Sequence, residues 1–262
     1  MQILHVVGAR PNFMKAAPLV RALTARGGLQ QTLIHTGQHY DVNMSDVFFQ
    51  QLALPQPDLN LGVGSGSHAQ QTAEIMARLE PVILQQKPAL VLVYGDVNST
   101  LATALVCAKL LVPFGHVEAG LRSFDRTMPE EINRLLTDQV ADLLFTPSPD
   151  ADQNLLREGV DSARIHRVGN IMVDSLVALL PEARRRWSTL RSRFPFPRLG
   201  LVTLHRPSNV DNVGVLNSIM EVLREISRDL HLVFPIHPRT RQRLDAAATD
   251  CNSRLQLVEP LG

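Results

Sequence analysis

The sequence has few of the features that mark specialised classes of protein. It contains two cysteines, Cys107 and Cys251, far apart in the chain, so neither a disulfide framework nor a cysteine-rich zinc site is expected. Aromatic residues make up 5% of the chain and form no ladder on which the bases of a single strand would stack. No apolar run approaches the ~18 residues that a membrane-spanning helix needs.

A large charge of one sign is also missing. The chain has 26 Lys and Arg against 25 Asp and Glu, a formal net charge of +1, which offers no basic surface for a nucleic acid. Its 45% hydrophobic and 19% charged residues are ordinary for a globular protein and exclude a disordered one. Residues 1–7 are typical of a strand rather than of a signal peptide. We therefore predict a soluble, cytoplasmic protein with no nucleic-acid or membrane partner.

Short apolar segments alternate with longer helical patterns over residues 1–180. The predicted strands are 3–7, 31–35, 90–94, 113–117, 143–145 and 165–168, and the predicted helices are 11–24, 68–86, 100–111, 130–140 and 150–158. Strands that alternate with helices indicate βαβ units, hence an α/β protein with a doubly wound parallel sheet. We predict an N-terminal Rossmann-like domain over residues 1–180.

A second alternation follows a stretch that contains two prolines. Residues 171–193 are predicted to be helical with a break at Pro181, and residues 181–198 are predicted to form a linker. Strands at 200–204, 232–236 and 255–258 then enclose helices at 215–227 and 239–247. Three strands with two helices leave a doubly wound sheet unfinished. We expect residues 199–262 to be the first part of a C-terminal Rossmann-like domain in a truncated chain; a small three-stranded appendage is the alternative.

The loops after the first two predicted strands carry polar side chains. After the first strand, Arg10 and Lys15 lie at the start of a helix and indicate an anion site; a basic residue without a ligand is the alternative. The loop lacks the G-x-G-x-x-G and Walker patterns, so no nicotinamide cofactor is predicted. After the second strand, His35 and His39 lack a third ligand, so no metal is predicted.

Acidic residues follow successive strands of the first predicted domain, and each has a purely structural alternative. Asp96 precedes a helix that it would cap, Glu118 would pair with Arg122, and Glu130 would favour a helix N-terminus. Ligands of open α/β sheets bind at the carboxyl ends of the strands. Three carboxylates along one such edge therefore indicate a substrate site.

Two histidines follow strands of the second predicted domain. His205 is followed by Arg206, and His237 has Arg239 close behind it. Imidazole and guanidinium groups together suit a diphosphate, which needs charge neutralisation and paired donors. We predict that these side chains face the first domain across a cleft.

These motifs together resemble the non-hydrolysing UDP-N-acetylglucosamine 2-epimerases. The matching segments are 8–15 (GARPNFMK), 36–39 (TGQH), 95–96 (GD), 115–122 (GHVEAGLR), 129–134 (PEEINR), 169–170 (GN), 205–206 (HR) and 237–238 (HP). The resemblance covers the whole chain in order, and segment 115–122 followed by 129–134 is its most specific part. It implies a glycosyltransferase-B-like fold, UDP-N-acetylglucosamine between two domains, no cofactor or metal, a homodimer through the first domain, and a place in cell-surface polysaccharide synthesis.

The resemblance also implies roles for particular residues. Those expected to bind substrate are Arg10, Lys15, Asp96, Glu118, His205 and Arg206, and those expected to be catalytic are Asp96, Glu118, Glu130 and His205. The C2 proton of the sugar is not next to a carbonyl, so the C1–O bond must break before it is removed. Arg10, His205 and Arg206 suit the departing UDP, and the carboxylates suit proton transfer. Elimination to a glycal and re-addition would invert C2 and give UDP-N-acetylmannosamine.

A second UDP-sugar site that activates some bacterial members has a partial counterpart here. Its matching residues are Gln38, Glu130, Arg206 and His237, but Asp41 and Gln70 replace a glutamine and an arginine that many members carry. These departures predict that activation by UDP-N-acetylglucosamine is weak or absent. The remaining alternatives for the whole chain are a hydrolysing epimerase, another glycosyltransferase-B-type enzyme, or an inactive fragment that binds sugar nucleotides.

Overall fold

A computed structural model of the chain describes residues 1–38, 49, 51–204, 207–244 and 254–259. The chain divides into two compact units, Met1–Pro181 and Glu182–Gly262. No helix among the described residues is long and apolar enough to cross a membrane.

The first unit is built on a parallel sheet of seven strands. These are β1 (Gln2–Val7), β2 (Gln30–His35), β3 (Leu59–Asn60), β4 (Leu90–Tyr94), β5 (Phe114–Val117), β6 (Leu143–Thr146) and β7 (Ile165–Arg167). Their order in the sheet is β3-β2-β1-β4-β5-β6-β7, and every neighbouring pair is parallel. The direction of progression reverses at β1 and β4, which is the topological switch point of a doubly wound sheet.

Helices cover both faces of this sheet. They are α1 (Arg10–Arg26), α2 (His68–Gln86), α3 (Asn98–Leu110), α4 (Pro129–Val140), α5 (Pro149–Arg157) and α6 (Ile171–Arg193), with a 3-10 turn at Ser162–Arg164. Strand β1 is apolar on both sides: Leu4 and Val6 belong to the core under α2 and α3, whereas Ile3 and Val7 belong to the core under α1. Burial on both faces is typical of a parallel sheet.

Side chains near the helix starts fix where two of these helices begin. Ser67 caps α2 by accepting a hydrogen bond from the Gln70 amide, while the Gln70 side chain accepts one from the Ser67 amide, both at 3.2 Å. This reciprocal pair is a capping box. At α1, the side chain of Asn12 accepts hydrogen bonds from the amides of Gly8 and Ala9.

The second unit contains a smaller parallel sheet. Its strands are β8 (Leu199–Leu201), β9 (His231–Pro235) and β10 (Leu255–Val258), in the order β10-β9-β8. Its helices are α7 (Pro207–Val210), α8 (Val213–Ile226) and α9 (Pro238–Arg241). Leu216 and Met220 of α8 pack on Phe234 of β9, which makes α8 the main cover of one face.

The structure differs from the sequence prediction at several elements, among them the short helix α7, which was not predicted. Strand β3 was not predicted, because a two-residue pairing is too short to show a pattern. The predicted break at Pro181 is wrong: α6 is one helix through that position, as are α1 through Pro18 and α2 through Pro81. A proline removes one backbone donor, and packing can compensate for that loss. The predicted helix 239–247 is shorter among the described residues, ending at Arg241.

Candidate functional site

The ends of three adjacent strands bring the predicted site residues of the first unit to one edge. Strands β1, β4 and β5 are parallel neighbours, and they end next to Gly8, Gly95 and Glu118 respectively. The carboxyl ends of such strands at a switch point form the usual ligand crevice of an open sheet. The fold therefore gathers Lys15, Asp96 and Glu118 from three separate stretches of sequence.

Lys15 and Glu118 form an ion pair between the Lys15 ammonium and Glu118 Oε2. Their side chains are only 9% and 16% exposed, so each charge depends on the other for compensation. The pairing of Glu118 with Arg122 that the sequence allowed is not formed. Arg122 instead binds Asp138 at 2.8 Å and Glu158 at 2.6 Å.

The backbone around the ion pair adopts left-handed conformations. Glu118 has φ +75° and Gly95 has φ +62°. A Cβ on Gly95 would lie 2.6 Å from Lys15 Nζ, so any other residue there would displace the lysine ammonium group. A non-glycine residue with positive φ costs about 1–3 kcal/mol and is concentrated at functional sites. Glu118 is such a residue, and it carries one of the predicted catalytic carboxylates.

Asp96 is held by α4 rather than by its own following helix. Its Oδ2 accepts a hydrogen bond from Arg134 Nη1 at 2.5 Å, and its carbonyl accepts one from Asn133 at 2.8 Å. The N-cap of α3 is Val97, so the structural alternative, in which Asp96 would cap this helix, is wrong. The carboxylate stays 30% exposed, which leaves it accessible to a ligand.

The two glutamates at the start of α4 have different environments. Glu131 is buried and accepts hydrogen bonds from the amides of Ser123 and Phe124, both at 3.0 Å, and from Arg134. Burial alone would raise the pKa of Glu131, but these donors outweigh it and lower the pKa to about 2. Glu130, the predicted catalytic residue, is exposed in the first turn. Glu131 therefore has a structural role, and Glu130 is the glutamate that a ligand can reach.

The start of α1 differs from the simple anion site that the sequence suggested. The amides of Gly8 and Ala9 already donate to Asn12, and Lys15 is paired with Glu118. Arg10 is exposed at the first position of the helix. Of the two predicted cations, Arg10 is therefore the one with an exposed side chain.

Gln38 of the predicted regulatory set, and Gln70, at which this chain departs from the family pattern, both have structural partners. Gln38 is buried, and its side-chain oxygen accepts hydrogen bonds from the amide and hydroxyl of Ser99 at 3.1 and 2.7 Å. Gln70, which stands where many bacterial members carry an arginine, forms the capping box of α2. His237 follows β9 and is exposed. Four other residues that the sequence analysis considered for a binding site lie outside the described residues: His39, Asp41, His205 and Arg206.

A family model described as UDP-N-acetylglucosamine 2-epimerase matches residues 21–262. The chain belongs to this family. The identification from the ordered motifs, of which segments 115–122 and 129–134 were the most specific, is thereby confirmed. In the structure these two segments supply Glu118, the Asp138-bound Arg122 and the Arg134 that holds Asp96.

Individual proteins of this family match this chain over nearly its whole length. A Pseudomonas aeruginosa protein named UDP-2,3-diacetamido-2,3-dideoxy-D-glucuronate 2-epimerase is 45% identical, over 100% of this chain and 73% of its own length. A UDP-N-acetylglucosamine 2-epimerase of Methanococcus maripaludis is 41% identical, over 98% of this chain and 72% of its own. The crystal structure of the Methanocaldococcus jannaschii enzyme with UDP-GlcNAc and UDP has 42% identity and a TM-score of 0.86, covering 100% and 74% of the two chains. The predicted α/β, glycosyltransferase-B-like fold is confirmed.

Sequence reasoning missed the residues that support the candidate site. Arg134 and Asn133 hold Asp96, and Glu131 anchors Arg134. The i, i+3 spacing of Glu131 and Arg134 on a helix was a signal that these two pair. Among the described residues, no group of three His, Cys, Asp or Glu is arranged to hold a metal ion.

Proposed function

We propose that this chain interconverts UDP-N-acetylglucosamine and UDP-N-acetylmannosamine by inversion at C2. One observation carries the proposal: the carboxylates of Asp96 and Glu118 are fixed at adjacent strand ends in a member of the 2-epimerase family. The M. jannaschii structure with UDP-GlcNAc supports the choice of substrate.

The reaction needs charge stabilisation and proton transfer. Breaking the C1–O bond releases UDP and leaves an oxocarbenium-like centre, which makes the C2 proton removable. Loss of that proton gives a glycal; return of a proton on the other face, followed by UDP, inverts C2. Asp96 and Glu118 come from different strands and suit the two faces, since a single base serves one face.

The charged residues have separate roles in this proposal. Lys15 compensates the charge of Glu118 at a position that is largely shielded from solvent. Arg134 compensates the charge of Asp96, which is more exposed. Glu130 lies exposed at the start of α4 and is a third candidate for proton transfer. Arg10, with His205 and Arg206, is assigned to the negative charge that develops on the departing UDP. No cofactor enters the scheme.

A second substrate is favoured by a specific observation. The P. aeruginosa relative, at 45% identity, is named for a diacetamido-glucuronate sugar. Its chemistry at C2 is the same, but its sugar carries an additional carboxylate. A cationic side chain that meets this carboxylate would decide between the two substrates.

The test is product analysis on the purified chain with each of the two UDP-sugars in parallel. Formation of UDP-N-acetylmannosamine supports the proposal, turnover of the glucuronate alone favours the second substrate, and free N-acetylmannosamine with UDP indicates a hydrolysing enzyme. Asp96→Asn and Glu118→Gln are each expected to reduce the rate by at least about 10²-fold. Glu80→Gln, an exposed carboxylate of α2, is the matched control and is expected to leave the rate unchanged.

The chain is further proposed to be a cytoplasmic homodimer that contacts its partner through the first unit. Helix α4 supports this, because Ile132, Leu136 and Val140 expose an apolar stripe along one side, at 38%, 46% and 39%. Exposed apolar stripes of this kind mark interaction surfaces. Sedimentation of the chain should give a dimer, and Leu136→Lys should give a monomer. Val222→Lys, at an exposed apolar position in the second unit, should not change the mass.

A further inference from the structure

His116 lies in strand β5, two residues before Glu118, and is completely buried. Both of its ring nitrogens have close partners. Nδ1 lies 2.6 Å from Asp138 Oδ1, and Nε2 lies 2.7 Å from the carbonyl oxygen of Gly95. The protonation state of the ring follows from what these two partners can donate or accept.

The protonation state of Asp138 determines whether His116 Nδ1 must donate a hydrogen bond. Its second oxygen, Oδ2, accepts hydrogen bonds from Arg122 at 2.8 Å and from the Gly120 amide at 3.0 Å. The Arg122 guanidinium supplies a positive charge beside this oxygen, and both donors favour the ionised form of the carboxyl group. Asp138 is therefore a carboxylate, and it has no proton to give to Nδ1.

The carbonyl oxygen of Gly95 likewise has no proton to give to Nε2. Because both partners are acceptors, both ring nitrogens must donate. We propose that His116 is a buried imidazolium cation and a positioning residue for Asp96 and Glu118. The positioning role rests on the proposed function, whereas the charge of the ring follows from the geometry of this network.

The network balances the buried charge. His116 and Arg122 supply two positive charges, and Asp138 and Glu158 supply two negative ones. The side chains of the first three are at most 1% exposed, and that of Glu158 is 25% exposed. Burial of an isolated ion is costly, so the four charges hold one another in place. Arg164 also donates to the carbonyl of Asp138 at 3.2 Å, which fixes the end of α4.

The contacts of this network flank both proposed catalytic carboxylates. His116 holds the carbonyl of Gly95, which immediately precedes Asp96. Asp138 holds the amide of Gly120, two residues after Glu118. The left-handed turn at Glu118 is thus fixed on both sides. A displacement of about 1 Å in a catalytic group can cost about 10²-fold in rate. Loss of these contacts should therefore lower the rate of turnover.

The charge of His116 is tested by ring-nitrogen NMR on the wild-type chain. The two nitrogens of His116 should show the imidazolium signature at pH 7. His5 is an internal reference, because burial lowers its pKa to about 4 and its ring should be neutral at pH 7. The His116→Gln variant assigns the signal. A neutral signature for His116 at pH 7 overturns the proposal.

The positioning role is tested by kinetics of the same variant. His116→Gln should lower kcat by about 10²-fold while KM changes by no more than a few fold, because the ring does not touch substrate. His166→Gln, an exposed histidine of β7, is the control. An unchanged kcat overturns the positioning role. If the wild-type chain shows no turnover, the proposed function fails rather than the positioning role. The positioning role is then tested by the amide resonances of Asp96 and Glu118, which should shift in His116→Gln and not in His166→Gln.

Discussion

At the scale of single residues, the ion pair of Lys15 and Glu118 sets the character of the site. Lys15 comes from the helix after β1 and Glu118 from the end of β5, so the pair connects two segments that are distant in sequence. Both charges are nearly buried. A buried pair is sensitive to removal of one member, because the other charge then remains without compensation.

Lys15→Met is expected to lower the free energy of unfolding by about 3 kcal/mol, because Glu118 loses its partner. The double variant Lys15→Met/Glu118→Gln removes both charges and should recover most of that loss. Urea denaturation measures both. Glu74→Gln breaks an exposed pair with Arg78 and should cost less than about 1 kcal/mol. A Lys15→Met variant no less stable than this control would contradict the account of the pair.

The residue types of the site could be predicted from the sequence, but their partners could not. Asp96 and Glu118 were identified because acidic residues after parallel strands share one edge. Their cations, Arg134 and Lys15, come from other elements. The structural alternative for Glu118 was a pair with Arg122, which is close in sequence but binds Asp138 and Glu158 in the structure. Spacing along the chain gives neighbours within an element, whereas packing decides the contacts between elements.

At the scale of elements, the end of β1 and the start of α3 approach each other very closely. A Cβ at Gly8 would lie 1.9 Å from Ser99 Oγ and 2.6 Å from Thr36 Oγ1. Glycine is needed here for space. Ser99, which packs against Gly8, also donates hydrogen bonds from its amide and its hydroxyl to the Gln38 side chain.

Gly8→Ala should therefore destabilise the first unit by about 1–3 kcal/mol, because overpacking forces the backbone of β1 away from α3. Gly66→Ala is the control, since a Cβ there meets nothing closer than 3.4 Å. Thermal denaturation of the two variants compares them. Equal melting temperatures would show that the β1–α3 contact can relax without cost.

Strand β1 also carries a pH-sensitive residue. His5 is buried between its neighbours, with Nδ1 2.6 Å from the Tyr94 hydroxyl and Nε2 3.0 Å from the Gln31 side chain. Burial lowers its pKa from 6.5 to about 4. Between these values the unfolded chain binds a proton that the folded chain does not, so acid favours unfolding.

The stability of the chain should fall as the pH drops from 6.5 to 4, with His5 contributing about 3 kcal/mol of that loss. His5→Gln should make the urea midpoint less dependent on pH over this range, because the titrating group is gone. The exposed His166→Gln variant should keep the wild-type profile. Parallel profiles for wild type and His5→Gln would contradict the assignment to His5.

Most elements could be predicted because helical and strand periodicities are strong in long segments. The failures have physical causes: β3 depends on pairing with β2 rather than on its own two residues, and α6 continues through Pro181. In that helix, Ile171 and Leu179 are anchored on the core of the first unit, and packing of this kind outweighs one missing hydrogen bond.

At the scale of the whole molecule, the chain spans about three quarters of the length of its relatives. The doubly wound class followed from alternation alone, and the family followed from the order of the motifs. The second sheet contributes three strands, as predicted. The assignment of His205 and Arg206 to the departing UDP comes from the sequence alone. Measurements of enzymatic activity test it.

The most direct test of the proposed reaction is proton NMR of the chain with UDP-N-acetylglucosamine in deuterium oxide. Removal and return of the C2 proton must exchange it with solvent, so deuterium should enter C2 as UDP-N-acetylmannosamine grows in. Glu118→Gln should slow this exchange, whereas the Glu80→Gln control should not. Formation of UDP-N-acetylmannosamine without deuterium at C2, or no change of the substrate at all, would contradict the account.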